Sequence, residues 1–544
     1  QRQKQQRINM NYAKLSGLNQ RVTPQTQAIP GRESEMAENN AGGVTFVIDE
    51  FSQLRRFLIL GSEGGTYYVN QGKLTEDNAK NVIQAIKKNG KKVVDMIVEI
   101  SNRGLAKSND PALFALALVF AHGNAEAKTE AEAALPKVAR IGTHILHFVD
   151  YVNTLSGWSR KRRRAVANWY LRQTDKKLEF QMLKYQSRDG MSHHDALHLC
   201  HAKPNSPAKD NLFGWAKTGL FKEGFPQNGS LLEGYQLAHL NKDDPKAVAK
   251  IIEGYKLTFE MVPTDVLRFP IVWEAMLPHL GYAALLRNLG RLSSIGFIEA
   301  FGDNQKKIVE ILTNPEAIAK SKIHPLSVLI GKKTYDQGRG LKGLLTWKAD
   351  AKVSAALEDA FYQAFKNVTP TGKKILLALD VSGSMSWTRI AGTTITPSEA
   401  SAAMAMVTAR TEQDYEIRGF AGELKDLNIT SKDSLESVLI KMNNLIFGTT
   451  DCSLPMTWAS AKKIKDIGGF VVYTDNETYA GKIQPSQALQ QYRNQYSSNA
   501  KLVVVGMTAT NFTIADPKDP GMLDVVGLDS STPAIIADFI ADRI

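Results

Sequence analysis

Five oxygen-bearing side chains follow apolar runs in the last third of the chain. The run ILLALD ends on Asp380, and Ser382 and Ser384 follow it at alternate positions. Thr450 lies in the motif GTTDC, and Asp475 follows the apolar run GFVVYT. Hard divalent cations prefer oxygen ligands, and Mg²⁺ takes about six of them in an octahedron. The pattern therefore predicts a magnesium site. Some side chains, above all the carboxylates, would act through water, and one position would stay open for an acidic group of a ligand.

Strands and helices that alternate from residue 370 onward would position these side chains. The runs ILLALD, DYEIRGFA, GGFVVYTD and KLVVVGM are typical of strands, and helix-like segments such as SEASAAMAMVTAR and SQALQQYRNQY separate them. This alternation predicts an α/β doubly wound domain with a mainly parallel sheet over residues 370–544. Open sheets of this kind bind ligands beyond the carboxyl ends of their strands, where Asp380 and Asp475 fall. A capped strand end that holds no metal is the alternative reading.

The order of these residues resembles the metal-ion-dependent adhesion site of von Willebrand factor A domains. That site has a D-x-S-x-S element, a later Thr and an Asp after a later strand, and all five positions match here. The resemblance implies a divalent metal ion, for which we expect Mg²⁺, and a protein carboxylate as one ligand. Phosphoryl transfer on Asp380 is disfavoured, because Ser382 stands where such enzymes commonly carry a second Asp. The chain has no phosphate-binding loop and no nucleophile elbow, so we expect no enzymatic activity.

Helical spacing of apolar residues dominates residues 75–366. Many helices of roughly 10–18 residues, joined by short Gly, Pro and Asn turns, predict an all-α array of HEAT-like helical pairs. An irregular helical bundle is the alternative. Thr75 is a signal for the start of a helix, and Gly90 predicts a break between two helices. Residues 1–50 are polar and predict an extended arm, and the glycine turn SEGG within Arg55–Leu74 predicts a hairpin. We therefore divide the chain into residues 1–369 and 370–544.

Charge is distributed unevenly between these two parts. The chain of 544 residues carries a net charge of +12. Residues 1–369 contain 51 Lys and Arg against 36 Asp and Glu, whereas residues 370–544 contain 16 against 19. The basic excess of the first part favours a polyanion partner, with nucleic acid first, and a merely soluble basic surface is the alternative.

Cysteine content and hydropathy bear on the compartment. Cys200 and Cys452 are the only cysteines, so neither a disulfide framework nor a cysteine-based zinc site can form. We expect a reducing compartment, the cytoplasm first and the nucleus second. No apolar run approaches the roughly 20 residues that a membrane-spanning helix needs, so we expect no membrane partner.

Three consecutive basic elements are candidates for phosphate binding. The segment GWSRKRRRAVANWYLRQ has five consecutive cations behind a Ser159 cap, and LEFQMLKYQSRDG and HAKP follow it. A solvated helix face is the alternative, and the basic excess favours nucleic acid. Four histidines within Gly190–His201 admit a zinc site as a minor alternative, with His194 and His198 on one helix face. The candidate RNA-binding residues are Arg160, Lys161, Arg162, Arg163, Arg164, Lys184, Arg188, His201 and Lys203.

Motifs along the whole chain resemble the TROVE-domain family of RNA-binding proteins. These are RFLILGSEGGTYYV, GWSRKRRRAV, LKYQSRDGMSH, TDCSLPM and VVYTDNETYAG. The resemblance implies a ring of HEAT-like repeats closed by the A domain. It also implies Y RNAs on the outer face and single-stranded 3′ ends of misfolded noncoding RNAs in the central hole. Lys184, Arg188 and His201 fall where the family has its Y-RNA-binding basic helix and the following histidine. We expect a monomeric protein of RNA quality control.

Two other functions fit parts of the sequence. An adhesion or scaffold protein would use the metal site to bind a partner's carboxylate, but the basic helical part and the cysteine count do not favour it. A nuclease or phosphatase would use Asp380, Asp475 and a metal ion, and turnover of single-stranded RNA with Mg²⁺ would reveal it.

Overall fold

The computed structural model describes residues 22–39, 41–47, 50–60, 79–103, 108–219, 229–340, 344–381, 394–444, 448–474, 478–506, 512–526 and 532–542. These residues form three parts. We call them the N-terminal segment (residues 22–47), the helical array (residues 50–367) and the sheet domain (residues 374–542).

Short turns join the helices of the array. None of the described helices is long and apolar enough to cross a bilayer. The helices are α1 (Glu50–Leu60), α2 (Lys80–Arg103), α3 (Asp110–His122), α4 (Ala125–Val138), α5 (Gly142–Leu155), α6 (Arg160–Leu171), α7 (Asp175–Lys184), α8 (His193–Cys200), α9 (Pro207–Thr218), α10 (Leu231–Leu240), α11 (Pro245–Tyr255), α12 (Pro270–Met276), α13 (Tyr282–Ser294), α14 (Asp303–Thr313), α15 (Pro315–Ser321), α16 (Pro325–Asp336) and α17 (Ala351–Ala364).

Side-chain caps start many of these helices. Asn124 accepts a hydrogen bond from the Ala127 amide at the start of α4, and Ser159 caps α6 in the same way, as its sequence predicts. Ser192 and Asp195 form a reciprocal capping box at the start of α8. Such caps supply partners for amide groups that the helix itself leaves unpaired.

Helices of the array pack against their first and second neighbours along the chain. Helix α2 packs on α3 and α4, α3 on α5, α4 on α6, and α16 on α17. Helix α3 is buried from Pro111 to Phe120, because neighbours cover it on all sides. This stacking of helical pairs is the predicted HEAT-like arrangement.

Both ends of the array contact the sheet domain, and this closes the ring. Helix α1 packs on strand β11 (Met522–Val526). At the other end, α16 packs on helix α18 (Pro397–Thr411), and Lys333 Nζ lies 2.8 Å from Glu399 Oε1 across this contact. The Arg410 guanidinium lies 4.9 Å from the centre of the Tyr362 ring.

The sheet domain has the predicted doubly wound architecture. Its six strands lie in the order β11-β9-β8-β5-β6-β7, in which only the β6–β7 pair is antiparallel. The strands are β5 (Lys374–Asp380), β6 (Tyr415–Phe420), β7 (Leu424–Asp426), β8 (Ile467–Thr474), β9 (Lys501–Gly506) and β11 (Met522–Val526). Besides α18, the helices are α19 (Leu435–Asn443), α20 (Leu454–Ala461), α21 (Pro485–Gln495) and α22 (Thr532–Ile540).

The N-terminal segment belongs structurally to the sheet domain. Strands β1 (Met36–Glu38) and β2 (Val44–Val47) form an antiparallel sheet with β10 (Phe512–Thr513). Residues 22–47 therefore have more regular structure than the predicted extended arm. The predicted hairpin is wrong over residues 55–60, which lie in α1, where Phe57 and Leu58 are buried in the core of the array. Its remaining residues, 61–74, lie outside the described part.

A glycine at the predicted break in α2 allows two helices to approach closely. The backbone leaves helical geometry at Asn89, with φ −157° and ψ 83°. A Cβ atom on the adjacent Gly90 would lie 2.6 Å from the Cβ of Ala127 in α4. Contact at this distance is repulsive, so any larger residue at position 90 must push α2 away from α4.

We expect Gly90→Ala to destabilise the protein by about 1–3 kcal/mol, although Ala favours helix more than Gly does. The matched control is Gly331→Ala in α16, where an added Cβ meets no atom within 4 Å. That change should be neutral or stabilising by up to ~1 kcal/mol. Thermal unfolding midpoints of the two variants test this. A higher midpoint for Gly90→Ala would contradict the packing argument.

Candidate functional site

The run of five cations at the start of α6 is held against neighbouring helices. Lys161 Nζ donates to Thr129 Oγ1 at 2.7 Å, and Arg163 donates to the Leu199 carbonyl at 3.1 Å. Arg164 forms a two-point ion pair with Glu132. Arg160 is exposed and has no carboxylate partner among the described residues. Of the five cations, Arg164 alone is paired with a carboxylate in the described structure, so the start of α6 remains strongly positive.

Arg162 has a structural function within this run. Its guanidinium donates to the carbonyls of Phe120 at 2.6 Å and of Ser156 and Gly157 at 3.1 Å each. These carbonyls lie at the ends of α3 and α5, where helices leave acceptors unpaired. Burial lowers the pKa of Arg162. Both of its terminal nitrogens donate inside the protein, so Arg162 is a poorer candidate for phosphate contact than Arg160.

Lys184 and Arg188 are four residues apart, a spacing that predicts a shared helix face, and this prediction is wrong. Helix α7 ends at Lys184, and Arg188 lies in β3 (Ser187–Arg188), which pairs with β4 (Met191–Ser192). Asp189 and Gly190 form the two-residue turn between these strands, with φ of 48° and 86°. This turn is favoured by the Asp-Gly sequence, and the hairpin replaces a further helical turn.

The two cations nevertheless meet at one aromatic ring. The Lys184 ammonium lies 5.6 Å and the Arg188 guanidinium 5.4 Å from the centre of the Tyr185 ring. Lys184 also lies 5.3 Å from the ring of Phe180, which is 36% exposed. Attraction of cations to the faces of aromatic rings orients both side chains. We call Phe180, Lys184, Tyr185 and Arg188 the cation–aromatic cluster.

Two residues that were not predicted from sequence border this cluster. Glu260 lies 4.0 Å from the Lys184 ammonium. Burial and the Glu260 charge raise the pKa of Tyr185, and the charges of Arg188 and of Arg287 in α13 act against them. The one-turn spacing of Phe180 and Lys184 is visible in the sequence, but the approach of Arg287 depends on the fold.

A histidine between two carboxylates lies beside the turn that follows Arg188. His147 Nδ1 on α5 lies 2.6 Å from Asp110 Oδ1, and His147 Nε2 lies 3.1 Å from Asp189 Oδ2. Burial lowers the pKa of His147, but the hydrogen bond to Asp110 and the charges of both carboxylates raise it by more. The pKa therefore lies above its usual value, and protonation strengthens the contact with the turn.

The histidines after this turn do not form a zinc site in the described part of the chain, where no three metal-ligating side chains converge. His193 is buried, its Nδ1 lies 2.7 Å from the Tyr170 hydroxyl, and burial lowers its pKa to about 3. His194 and His198 are exposed on α8, as their spacing predicts. His201 ends the helix with φ 54°. His201 and Lys203 are both exposed, so both are available to a ligand.

The carboxyl end of β5 carries the described part of the predicted metal site. Asp380 is fully buried, and the Thr474 hydroxyl donates to its Oδ2 at 3.0 Å. Thr450 is 7% exposed, and its carbonyl accepts the amides of Tyr479 and Ala480 at 3.1 Å each. Ser382, Ser384 and Asp475 lie outside the described residues.

The chemistry of the described donors suits a hard cation. Cys452 Sγ lies 3.6 Å from Thr474 Oγ1 beside Asp380. Burial, together with the Asp380 charge, raises the pKa of this thiol well above its usual value. The thiol therefore stays protonated and does not act as a thiolate ligand. Carboxylate and hydroxyl oxygens remain, and these are the donors that Mg²⁺ prefers.

Comparison with known proteins gives matches along nearly the whole chain. The TROVE domain family matches residues 37–228 and 250–334, and the Ro60 vWA domain family matches residues 374–540. The RNA-binding protein RO60 of Deinococcus radiodurans is 39% identical over 528 residues, which cover 96% of this chain and 98% of that protein. Its namesake in Caenorhabditis elegans is 34% identical over 588 residues, with 93% and 90% covered.

A solved structure agrees with these matches. The crystal structure of the D. radiodurans RO (RSR) protein superimposes with a TM-score of 0.76 at 39% identity. The superposition covers 91% of this chain and 100% of that one. The helical array and the sheet domain together therefore have the architecture of the D. radiodurans protein.

We expect His147 to titrate above its usual pKa of about 6.5, and His144 in the same helix to titrate near 4. Because the folded pKa of His147 is raised, its stabilising contribution is fully present below pH ~6.5 and is lost as pH rises through the folded pKa. Asp110→Asn should lower the pKa of His147 and remove this contribution. NMR titration of labelled histidines measures both values, and an unchanged His147 pKa in Asp110→Asn would contradict the assignment.

Proposed function

This chain belongs to the Ro family of TROVE-domain proteins, and we propose that it is a non-enzymatic RNA-binding protein of noncoding-RNA quality control. The observation that carries the proposal is the cation–aromatic cluster on a helical part with a large basic excess. Aromatic and cationic side chains together bind RNA without catalysis, because the first stack on bases and the second attract phosphates. Relatives of this chain bear the name RNA-binding protein.

Small structured RNAs of the Y RNA class bind the outer basic surface. This surface comprises the start of α6, the cation–aromatic cluster, His201 and Lys203. Lys161, Arg162 and Arg163 donate to uncharged oxygens, so their charges are not neutralised there. Lys161 and Arg163 are held in fixed positions, so they lose little side-chain entropy when they contact a phosphate. Arg160 and Lys203, which are exposed, add charges that can move to meet the RNA.

Replacing Arg160, Lys184 and Arg188 together by Met should weaken binding of a small structured RNA by about tenfold or more, since three phosphates lose their partners. The slope of log affinity against log salt should fall by about 2–3. Fluorescence anisotropy at several salt concentrations measures both quantities.

The matched control replaces Lys250, Lys307 and Lys320 by Met. These cations are exposed on three other helices, and the change in net charge is the same. The control should retain most of the affinity. Equal losses in the two triple variants would mean that RNA responds to net charge rather than to this surface.

Single-stranded 3′ ends of misfolded noncoding RNAs enter the central hole of the ring. A closed ring of helices has an inner surface as well as an outer one. A basic channel follows a single strand through its phosphates and base faces, which all sequences share. An A-form duplex is wider than a single strand, so a narrow hole selects for unpaired ends.

A hairpin RNA with an unpaired 3′ tail should bind at least about tenfold more tightly than its blunt counterpart, because the tail adds base stacking and phosphate contacts. A small structured RNA on the outer surface should compete with the tailed RNA by blocking entry. The control is a hairpin of the same length with a 5′ tail. Equal affinity for the tailed and blunt forms would exclude selection by the hole.

In this function the sheet domain binds a divalent cation, Mg²⁺ by the chemistry of the donors. Asp380, Ser382, Ser384, Thr450 and Asp475 would hold it. A metal held largely by uncharged hydroxyls stays electrophilic and would attract a carboxylate from a partner protein. Buried oxygen donors at Asp380 and Thr474, beside a protonated thiol, support this assignment.

Cysteine chemistry supports a reducing compartment for this function. Cys200 and Cys452 are both buried and unpaired with each other. Burial raises the pKa of both thiols, so both resist oxidation. A protein that uses no disulfide suits the reducing cytoplasm, with the nucleus as a second compartment. Cell fractionation tests this localisation.

A further inference from the structure

A glutamine from the N-terminal segment is inserted beside the candidate metal site. Gln25 is fully buried. Its Nε2 donates to Asp451 Oδ1 at 2.7 Å and to the Ile483 carbonyl at 3.1 Å. Its Oε1 accepts the Thr478 hydroxyl at 2.5 Å and the Gly481 amide at 3.0 Å. Both donor hydrogens and both acceptor positions of the amide are therefore used.

These four bonds join two loops of the sheet domain. One loop contains Thr450 and Asp451 and leads into α20. The other follows β8 and contains Thr478 and Gly481. A Cβ atom on Gly481 would collide with the Gln25 amide, so this loop approaches the N-terminal segment as closely as a backbone can. Such close approach is possible only for glycine.

Hydrogen bonds of residues 478–480 connect the loop that Gln25 binds to the candidate ligand Thr450. The Thr478 hydroxyl, which donates to Gln25, also accepts the Cys452 amide at 3.0 Å. The next two amides, of Tyr479 and Ala480, donate to the Thr450 carbonyl at 3.1 Å each. The backbone on both sides of Asp451 is thus held by groups that Gln25 orients.

Backbone hydrogen bonds also attach the N-terminal segment to the loop after β8. The Gln25 amide donates to the Gly481 carbonyl at 3.0 Å, and the Val44 amide donates to the Gln25 carbonyl at 2.6 Å. Thr23 forms a separate pair of bonds with Gln487 on α21, at 2.9 and 3.2 Å. The segment therefore has one attachment at the metal-site loops and another on the neighbouring helix.

We propose that Gln25 is a positioning residue for the metal site, through which the N-terminal segment sets the geometry of the loop that carries Thr450. This inference rests on the proposed Mg²⁺ site. Gln25 contacts no predicted ligand side chain in the described structure and acts through Thr478 and Asp451. Partners that orient the groups around a metal commonly change its affinity by about 10–100-fold when they are removed.

The test compares two variants of the full chain. Gln25→Met keeps the side-chain volume and removes all four side-chain bonds, and Thr23→Val removes a bond of the same segment to α21. Calorimetric titration with Mg²⁺ should show affinity about tenfold or more weaker for Gln25→Met, whereas Thr23→Val should stay within about twofold. Circular dichroism confirms that each variant is folded.

Amide hydrogen exchange of the metal-free protein gives a second readout. In Gln25→Met, the amides of Cys452, Tyr479 and Ala480 should exchange faster, while those of β5 and β9 should not change. Unchanged Mg²⁺ affinity in folded Gln25→Met overturns this inference alone. Faster exchange throughout the sheet also overturns it, because Gln25 would then act on general stability. A wild-type chain that binds no Mg²⁺ overturns the metal site as well.

Discussion

The constraint on which this fold depends is that the parallel sheet must be covered on both faces. Leu376 and Ala378 of β5 point into a core shared with α20 and α21, whereas Ile375, Leu377 and Leu379 point into the core that continues through the helical array. A parallel sheet carries hydrophobic side chains on both faces, so other elements must shield both faces from water. Helix α18 of the sheet domain contacts β5 and β6, and its buried hydrophobic residues belong to this second core. Its contact with α16 of the array is one of the two contacts that close the ring.

Some cations of the helical array satisfy backbone carbonyls, and others stay exposed to solvent. Sequence alone does not distinguish these two roles. Arg162 satisfies carbonyls at two helix ends and stabilises the packing of α6, while Arg160, one turn away from Arg164, remains exposed. Hydrogen bonds to uncharged oxygens fix a cation without removing its charge, whereas the carboxylate of Glu132 largely neutralises Arg164. A run of like charges is therefore tolerated where most members have acceptors of their own and the surplus potential faces solvent or an anionic ligand.

Sequence periodicity and capping motifs correctly predicted those elements that depend only on neighbouring residues. Strand β5, the cap at Ser159 and the break beside Gly90 follow from periodicity and capping, and all three are confirmed. The helix assumed through Arg188 is wrong, although its Asp-Gly dipeptide is a strong hairpin signal that could have been read. Gln25 could not have been found, because its partners lie more than 400 residues away and no spacing rule connects them.

Helix α18 links the sheet domain to the helical array. It is the first described helix after Asp380, and its start is fixed by a capping box in which Glu399 Oε2 accepts the Thr396 amide at 3.0 Å. The other oxygen of Glu399 binds Lys333 of the helical array at 2.8 Å. One carboxylate thus holds the helix start and the ring contact together. The contact with Lys333 therefore joins the first described helix after Asp380 to one end of the helical array.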